Sequence, residues 1–170
     1  MAKILLITIL LICCYTDLRT RKLYNWATLG GALLGFITNY YYLGTRGLSI
    51  AFIGWVTGII VLIIPYSMGG IGAGDVKLLG AIGAFLGPYR AVQSFLIAAI
   101  LGGIYAAAIL SKQKKLLAIT KGSIMELSIF VMSGFQINTF VGEKDGTAAA
   151  TIPYGLLLSI GALVVFLLGV

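Results

Sequence analysis

The sequence predicts an all-α polytopic membrane protein, a single domain of about six transmembrane helices. Three observations carry that expectation. Hydrophobic residues make up 60% of the 170-residue chain and charged residues 10%, with a mean hydropathy of +1.07. The apolar residues come in repeated runs that approach the ~20 residues a helix needs to cross a bilayer. No run alternates apolar with polar residues, as a barrel strand would, and in hydrocarbon only helices and closed barrels satisfy their own backbone.

Residues 2 to 16 are apolar apart from Lys3. A signal peptide competes for this stretch, with Lys3 as its charged start and Ile4 to Ile12 as its core. No A-x-A-like cleavage site follows, and Ile12 before Cys13 fits a lipoprotein site poorly. A retained first helix is expected instead. Its apolar run is short, so the helix continues through Asp17 towards Arg19, which leaves Asp17 at or just inside the membrane boundary. Arg19, Arg21 and Lys22 form the first basic cluster. Tyr24 to Leu43 is the second span, with Trp26 at one end and Tyr40-Tyr41-Tyr42 at the other, as interfacial aromatic belts require.

Arg46 falls in a short loop, and Leu48 to Ile64 is a third span ended by Pro65. A glycine-rich run precedes the fourth span, Val76 to Leu86, which Gly87-Pro88 closes. Arg90 introduces the fifth, Ala91 to Leu110. Then come K-Q-K-K, Lys112 to Lys115, and Lys121. Residues 123 to 142 are apolar but carry Glu126, Ser128, Ser133, Gln136 and Asn138, the pattern of an interfacial or half-buried helix. Glu143 to Thr151 reads as a polar loop. Ile152 to Val170 is the last span, with Pro153 in the first helical turn, where its missing N–H costs nothing.

Loop charge sets the orientation. The loop after the first span carries three basic residues and the stretch after the fifth carries four, against one each after the second and fourth. The positive-inside rule then puts loops one, three and five in the cytoplasm and both termini outside, with Lys3 a mild exception. The net charge of +7 is explained the same way, so no nucleic-acid partner is expected. The adjacent cysteines Cys13 and Cys14 cannot readily bridge each other, no C-x-x-C pair exists, and there is no histidine. A zinc site and a His-based triad are therefore excluded by inventory, and no cofactor or metal is expected.

The candidate chemistry lies in carboxylates. The run G-G-I-G-A-G-D-V-K-L-L, Gly69 to Leu79, sets four glycines before Asp75 and a lysine, Lys77, two residues after it. Glycines permit φ > 0 and let another chain approach closely. The bland reading is a flexible turn that ends with Asp75 as a helix N-cap. An ionisable group at the edge of hydrocarbon is nonetheless a functional-site hypothesis by default. The predicted topology supplies a partner: Asp17 ends a helix that reaches the cytoplasmic side, and Asp75 begins one that leaves it. Two carboxylates held together cannot both ionise freely, so they divide acid and base roles. Water can then serve as nucleophile, as aspartic proteolysis requires. Structural pairing of these acids with Arg19 or Lys77 stays open as the alternative.

At these residues the sequence resembles a known family. G-A-G-D-V-K-L-L is similar to the G-x-G-D-x-K-L element of the type IV prepilin peptidases, a branch of the GxGD intramembrane aspartic proteases. T-D-L-R-T-R-K-L-Y-N resembles that family's first Asp site, and I-P-Y-G near the C-terminus resembles a third short motif. The resemblance implies that Asp17 and Asp75 are the catalytic pair, that Gly72 and Gly74 shape the backbone beside Asp75, and that Lys77 either tunes the pair or faces lipid phosphates. It implies a multi-pass protein of the cytoplasmic membrane. Its substrate would be a pilin-like protein with a basic leader before a hydrophobic helix, cut at the cytoplasmic face after a small residue. Tyr24 stands where the family often has proline before Asn25, which puts the rigid turn after Asp17 in question. Long members carry a cysteine-bearing insert between the first two spans, linked to methylation. This chain has only a short polar link there, so residues 1–170 are expected to be one peptidase domain that cleaves Flp/Tad-type prepilins without methylating them. An archaeal-type preflagellin peptidase is the alternative within the family, and a presenilin-like enzyme lies further off. Outside it stand a small ion- or proton-coupled transporter using the same Asp pair, and an inactive pilin-binding scaffold. The run contains no nucleotide-binding glycine pattern.

Overall fold

The computed structural model describes residues 2–20, 23–67, 71–112 and 154–169. Among the described residues every regular element is a helix: α1 (Ala2–Thr20), α2 (Asn25–Ser67), α3 (Ala73–Leu86), α4 (Pro88–Lys112) and α5 (Tyr154–Leu168). Arg21, Lys22, Gly69, Gly70 and the stretch from Gln113 to Pro153 lie outside the described residues. With them go the tail of the K-Q-K-K cluster, Lys121, the interfacial segment expected at 123 to 142, and the acids Glu126, Glu143 and Asp145.

α1 is apolar nearly all round, so its inner face is marked by burial: Leu6, Leu10, Cys13 and Asp17 form one buried stripe at the i, i+4, i+7 spacing of a single helix face. Ile4, Leu11, Tyr15 and Leu18 point outwards from the same helix and are exposed.

α2 has 43 residues, which at 1.5 Å per residue amounts to about 65 Å of helix, roughly twice a hydrocarbon core of about 30 Å. It does not run straight. Gly44 leaves the helical region at φ 59 and ψ −141, a backbone state open chiefly to glycine, and the chain folds back there. Gly31 and Gly35 in the first leg meet Ala81 and Ala84 of α3, so this leg runs parallel to α3. Gly54 and Gly58 in the second leg meet Gly83 and the Leu79–Gly80 backbone, so that leg runs antiparallel to it. Phe36 and Trp55 touch across the two legs, ring centroids 6.3 Å apart.

These legs are the second and third spans read from the sequence, with two corrections. The expected loop around Arg46 shrinks to the single non-helical residue Gly44, because one residue with positive φ suffices to reverse the direction. Pro65 does not end the helix, which continues to Ser67; proline so near a C-terminus gives up one backbone bond and is tolerated.

α3 is the central helix. Val76, Leu78, Leu79, Ala81, Ile82 and Ala84 are all buried. A Cβ on Gly54 would fall on the Gly83 carbonyl oxygen and one on Gly83 would fall on that of Gly54, so the two backbones touch, as small-residue interfaces between membrane helices allow. At the far end Asn39 Nδ2 donates to the carbonyls of Ala84 (2.8 Å) and Phe85 (3.3 Å), two of the acceptors a helix C-terminus leaves open. Gly87, at φ 85, then reverses the chain into α4. α5 runs antiparallel to α4: Gly161 presses on the Ser94 carbonyl and the Arg90 guanidinium donates to the Gly169 carbonyl at 3.4 Å.

The directions close consistently. The C-terminus of α1 and the N-termini of α2, α3 and α5 gather at one end of the bundle, while Gly44, Gly87 and Gly169 lie at the other. Counting both legs of α2, the described residues form six helical segments. Of the described helices, α2 is the one long and apolar enough by itself to cross a membrane, and α5 is a shorter apolar helix. Leu33, Ile37, Phe52, Ile53 and Ile60 stand exposed on the outside of α2, a surface suited to hydrocarbon.

Candidate active site

Asp17 occupies a core position on the inner stripe of α1 and is only 7% exposed. A buried carboxylate needs hydrogen bonds to offset lost hydration. One comes from far along the chain: the Leu156 backbone N–H donates to Asp17 Oδ2 at 2.9 Å. That N–H belongs to the first turn of α5, where backbone donors have no partner in their own helix and the helix dipole favours an anion.

Asp75 sits in the first turn of α3. The helix starts at Ala73 with Gly72 at the cap position, three residues earlier than the sequence suggests, so Asp75 is not the N-cap. Its Oδ2 instead accepts the Gly72 N–H at 3.2 Å, the reaching-back half of a capping box. Gly72, having no side chain, cannot supply the other half. The Gly72 carbonyl accepts the Asp75 N–H at 3.0 Å.

The structure places the two acids at the same end of the bundle, with Leu23 packed against both Gly74, next to Asp75, and Gly155, which faces Asp17. Tyr154, at the start of α5, is 7% exposed and feels the charge of Asp75. The N-terminus of α5 binds Asp17 through the Leu156 N–H.

The glycines beside Asp75 work by absence rather than by unusual backbone. Among the described residues positive φ occurs at Gly44, Gly87 and Gly169 only, and Gly72 has φ −76. Gly72 and Gly74 therefore make no use of the positive φ that glycine permits. A Cβ on Gly74 would stand 2.8 Å from Leu23 Cβ, and one on Gly72 would stand 3.2 Å from Asp75 Oδ2. What these positions need is close approach.

Lys77 Nζ donates to Asn25 Oδ1 at 2.8 Å, tying the first turns of α3 and α2 together. Arg19 turns back along its own helix, with Nη1 donating to the Tyr15 hydroxyl at 2.7 Å. The turn before Asn25 forms without proline. The Tyr24 carbonyl accepts the N–H groups of Ala27 and Thr28 at 3.0 and 3.2 Å, so Tyr24 opens α2 through its backbone. Among the described residues no group of three or more His, Cys, Asp or Glu side chains gathers to hold a metal.

Four participants were not singled out by residue chemistry. Leu23 carries no polar atom to mark it. Tyr154 and Gly155 stand in I-P-Y-G, a weak motif when read alone. The Leu156 contribution is a backbone N–H, which no side-chain pattern could reveal.

A family model described as the type IV leader peptidase family matches residues 4–107. The match takes in both acids and the glycine-rich turn, and ends before α5. No curated protein and no solved structure matches the chain.

Proposed function

The chain belongs to the type IV leader peptidase family, and on that premise we propose that it is an aspartic endopeptidase whose catalytic pair is Asp17 and Asp75. The family makes it a protease with a leader-peptidase function. The observation that carries the finer reading is the placement of two carboxylates, from the end of α1 and the first turn of α3, at one end of the bundle, where Leu23 packs against both Gly74 beside Asp75 and Gly155 beside Asp17. In the reaction one carboxylate takes a proton from water as the oxygen adds to the scissile carbonyl carbon. The other protonates the leaving amine as the C–N bond breaks. Gly72 leaves room beside the Asp75 carboxylate, Gly74 lets Leu23 approach the first turn of α3, and Lys77 holds that turn in place through Asn25.

The substrate is a prepilin of the Flp/Tad type, with a basic leader followed by a hydrophobic helix, and cleavage takes place at the cytoplasmic face of the membrane. Arg19 and Lys77 lie at the end of the bundle that carries the pair, with α4 ending there at Lys112, which supports a cytoplasmic setting under the positive-inside rule. The length and apolar surface of α2 support a multi-pass protein of the cytoplasmic membrane. The short link between α1 and α2 supports a single peptidase domain over residues 1–170 that cleaves without methylating.

The test is co-expression of the full chain with a panel of candidate prepilins and preflagellins, followed by mass spectrometry of the products. Loss of the leader from a Flp-like prepilin, with an unmethylated new N-terminus, is the expected result. Cleavage of preflagellins alone would move the substrate to the archaeal type. Intact substrates beside abundant folded protein would overturn the peptidase reading and bring the transporter and scaffold readings forward.

A further inference from the structure

We infer that Gly155 is a positioning residue for Asp17, acting through the docking of α5, a helix outside the family match. This rests on the reading of Asp17 as catalytic. A Cβ at Gly155 would stand 3.0 Å from Asp17 Oδ2, 3.2 Å from Asp17 Cγ and 3.0 Å from Leu23 Cδ1. The Leu23 contact involves the end of a flexible side chain and can give way. The Asp17 contact cannot give way so easily, because the carboxylate is buried and already bonded to the next residue's N–H. Gly155 therefore sets how closely the first turn of α5 approaches the carboxylate, and with it the Leu156 N–H that fixes Oδ2.

Gly161, on the same helix, is an internal contrast. It is pinched more tightly, against the Ser94 carbonyl and the Ala98 amide of α4, away from either acid. Alanine is intrinsically a better helix former than glycine, so a loss at either position must come from the contact and not from the helix itself.

The experiment compares purified full-length parent, Gly155→Ala, Gly155→Ala/Leu23→Ala, Leu156→Pro and Gly161→Ala, reading kcat and KM for leader release from one cleaved prepilin together with Tm. Leu156→Pro adds no bulk at 155. It removes the N–H that Asp17 accepts, in a first turn where helices tolerate proline. Gly155→Ala and Leu156→Pro are expected to lower kcat roughly 10- to 100-fold, the effect of losing one hydrogen bond to a charged group, with KM nearly unchanged. The Leu23→Ala second change is expected not to restore kcat. Gly161→Ala is expected to lower Tm and leave kcat per folded molecule at the parental value.

Parental kcat in Gly155→Ala or in Leu156→Pro overturns the inference, and so does recovery in the double variant, which would place the fault at Leu23. Should Gly155→Ala fail to fold, Leu156→Pro decides alone. Failure of the parent to cleave any substrate would count against the peptidase reading itself, a distinct result.

Discussion

The middle of α3 and its first turn both set glycine against another part of the chain, and the two regions use that smallness differently. In the middle, Gly83 faces Gly54, and Gly58 faces the Leu79–Gly80 backbone. The contact there is backbone on backbone, continuous with a buried apolar core, and it holds the second leg of α2 against the central helix. At the first turn, Gly74 faces Leu23, a residue in the non-helical link between α1 and α2. Across the site Gly155 faces Leu23 and a carboxylate. Crowding in the first region has nowhere to go except helix separation. Crowding at the second can be relieved locally, at the expense of how the acids are held. Stability should therefore reside in the first region and activity in the second.

The largest expected effect is at the acids. Asp17→Asn or Asp75→Asn should lower leader release by about 10²- to 10⁴-fold, the range general acid–base groups contribute, with Tm unchanged. Next come the backbone contacts: Gly54→Ala and Gly83→Ala should each destabilise by about 1–3 kcal/mol through overpacking. Thermal unfolding in detergent would read this, while kcat per folded molecule stays parental. Full activity loss in a stably folded Gly83→Ala would break the division. Asn39→Ala removes the donor to the Ala84 and Phe85 carbonyls and should cost about 1 kcal/mol, again without a change in kcat. Smallest is Lys77→Ala at the partly exposed Asn25 contact. It should move stability by no more than about 0.5 kcal/mol and lower the rate less than Gly155→Ala does.

The same contrast explains what could be read from the sequence. Long apolar runs and the glycine-rich turn are local features, so the helical fold and the family were legible in the sequence. What escaped was tertiary or a matter of single residues. Gly44 reverses the chain where a loop was expected, since one glycine with positive φ looks like any other glycine in a sequence. Pro65 was taken as a stop because the cost of one missing hydrogen bond cannot be weighed without its surroundings. The docking of α5 on Asp17 joins residues at opposite ends of the chain through a backbone N–H. At Gly74 the structural requirement is room for Leu23, a contact made across the turn that the motif alone does not show.

The central claim is that Asp17 and Asp75 act as one unit, and it is tested most directly by comparing Asp17→Asn, Asp75→Asn and the double variant. Each would be purified, checked for unchanged Tm and assayed for release of the leader by mass spectrometry. The expected result is that each single change lowers release by about 10²- to 10⁴-fold and that the double variant is no worse than either, since groups that share one step are not additive. A folded single variant that cleaves at the parental rate, or losses that multiply in the double variant, would contradict it.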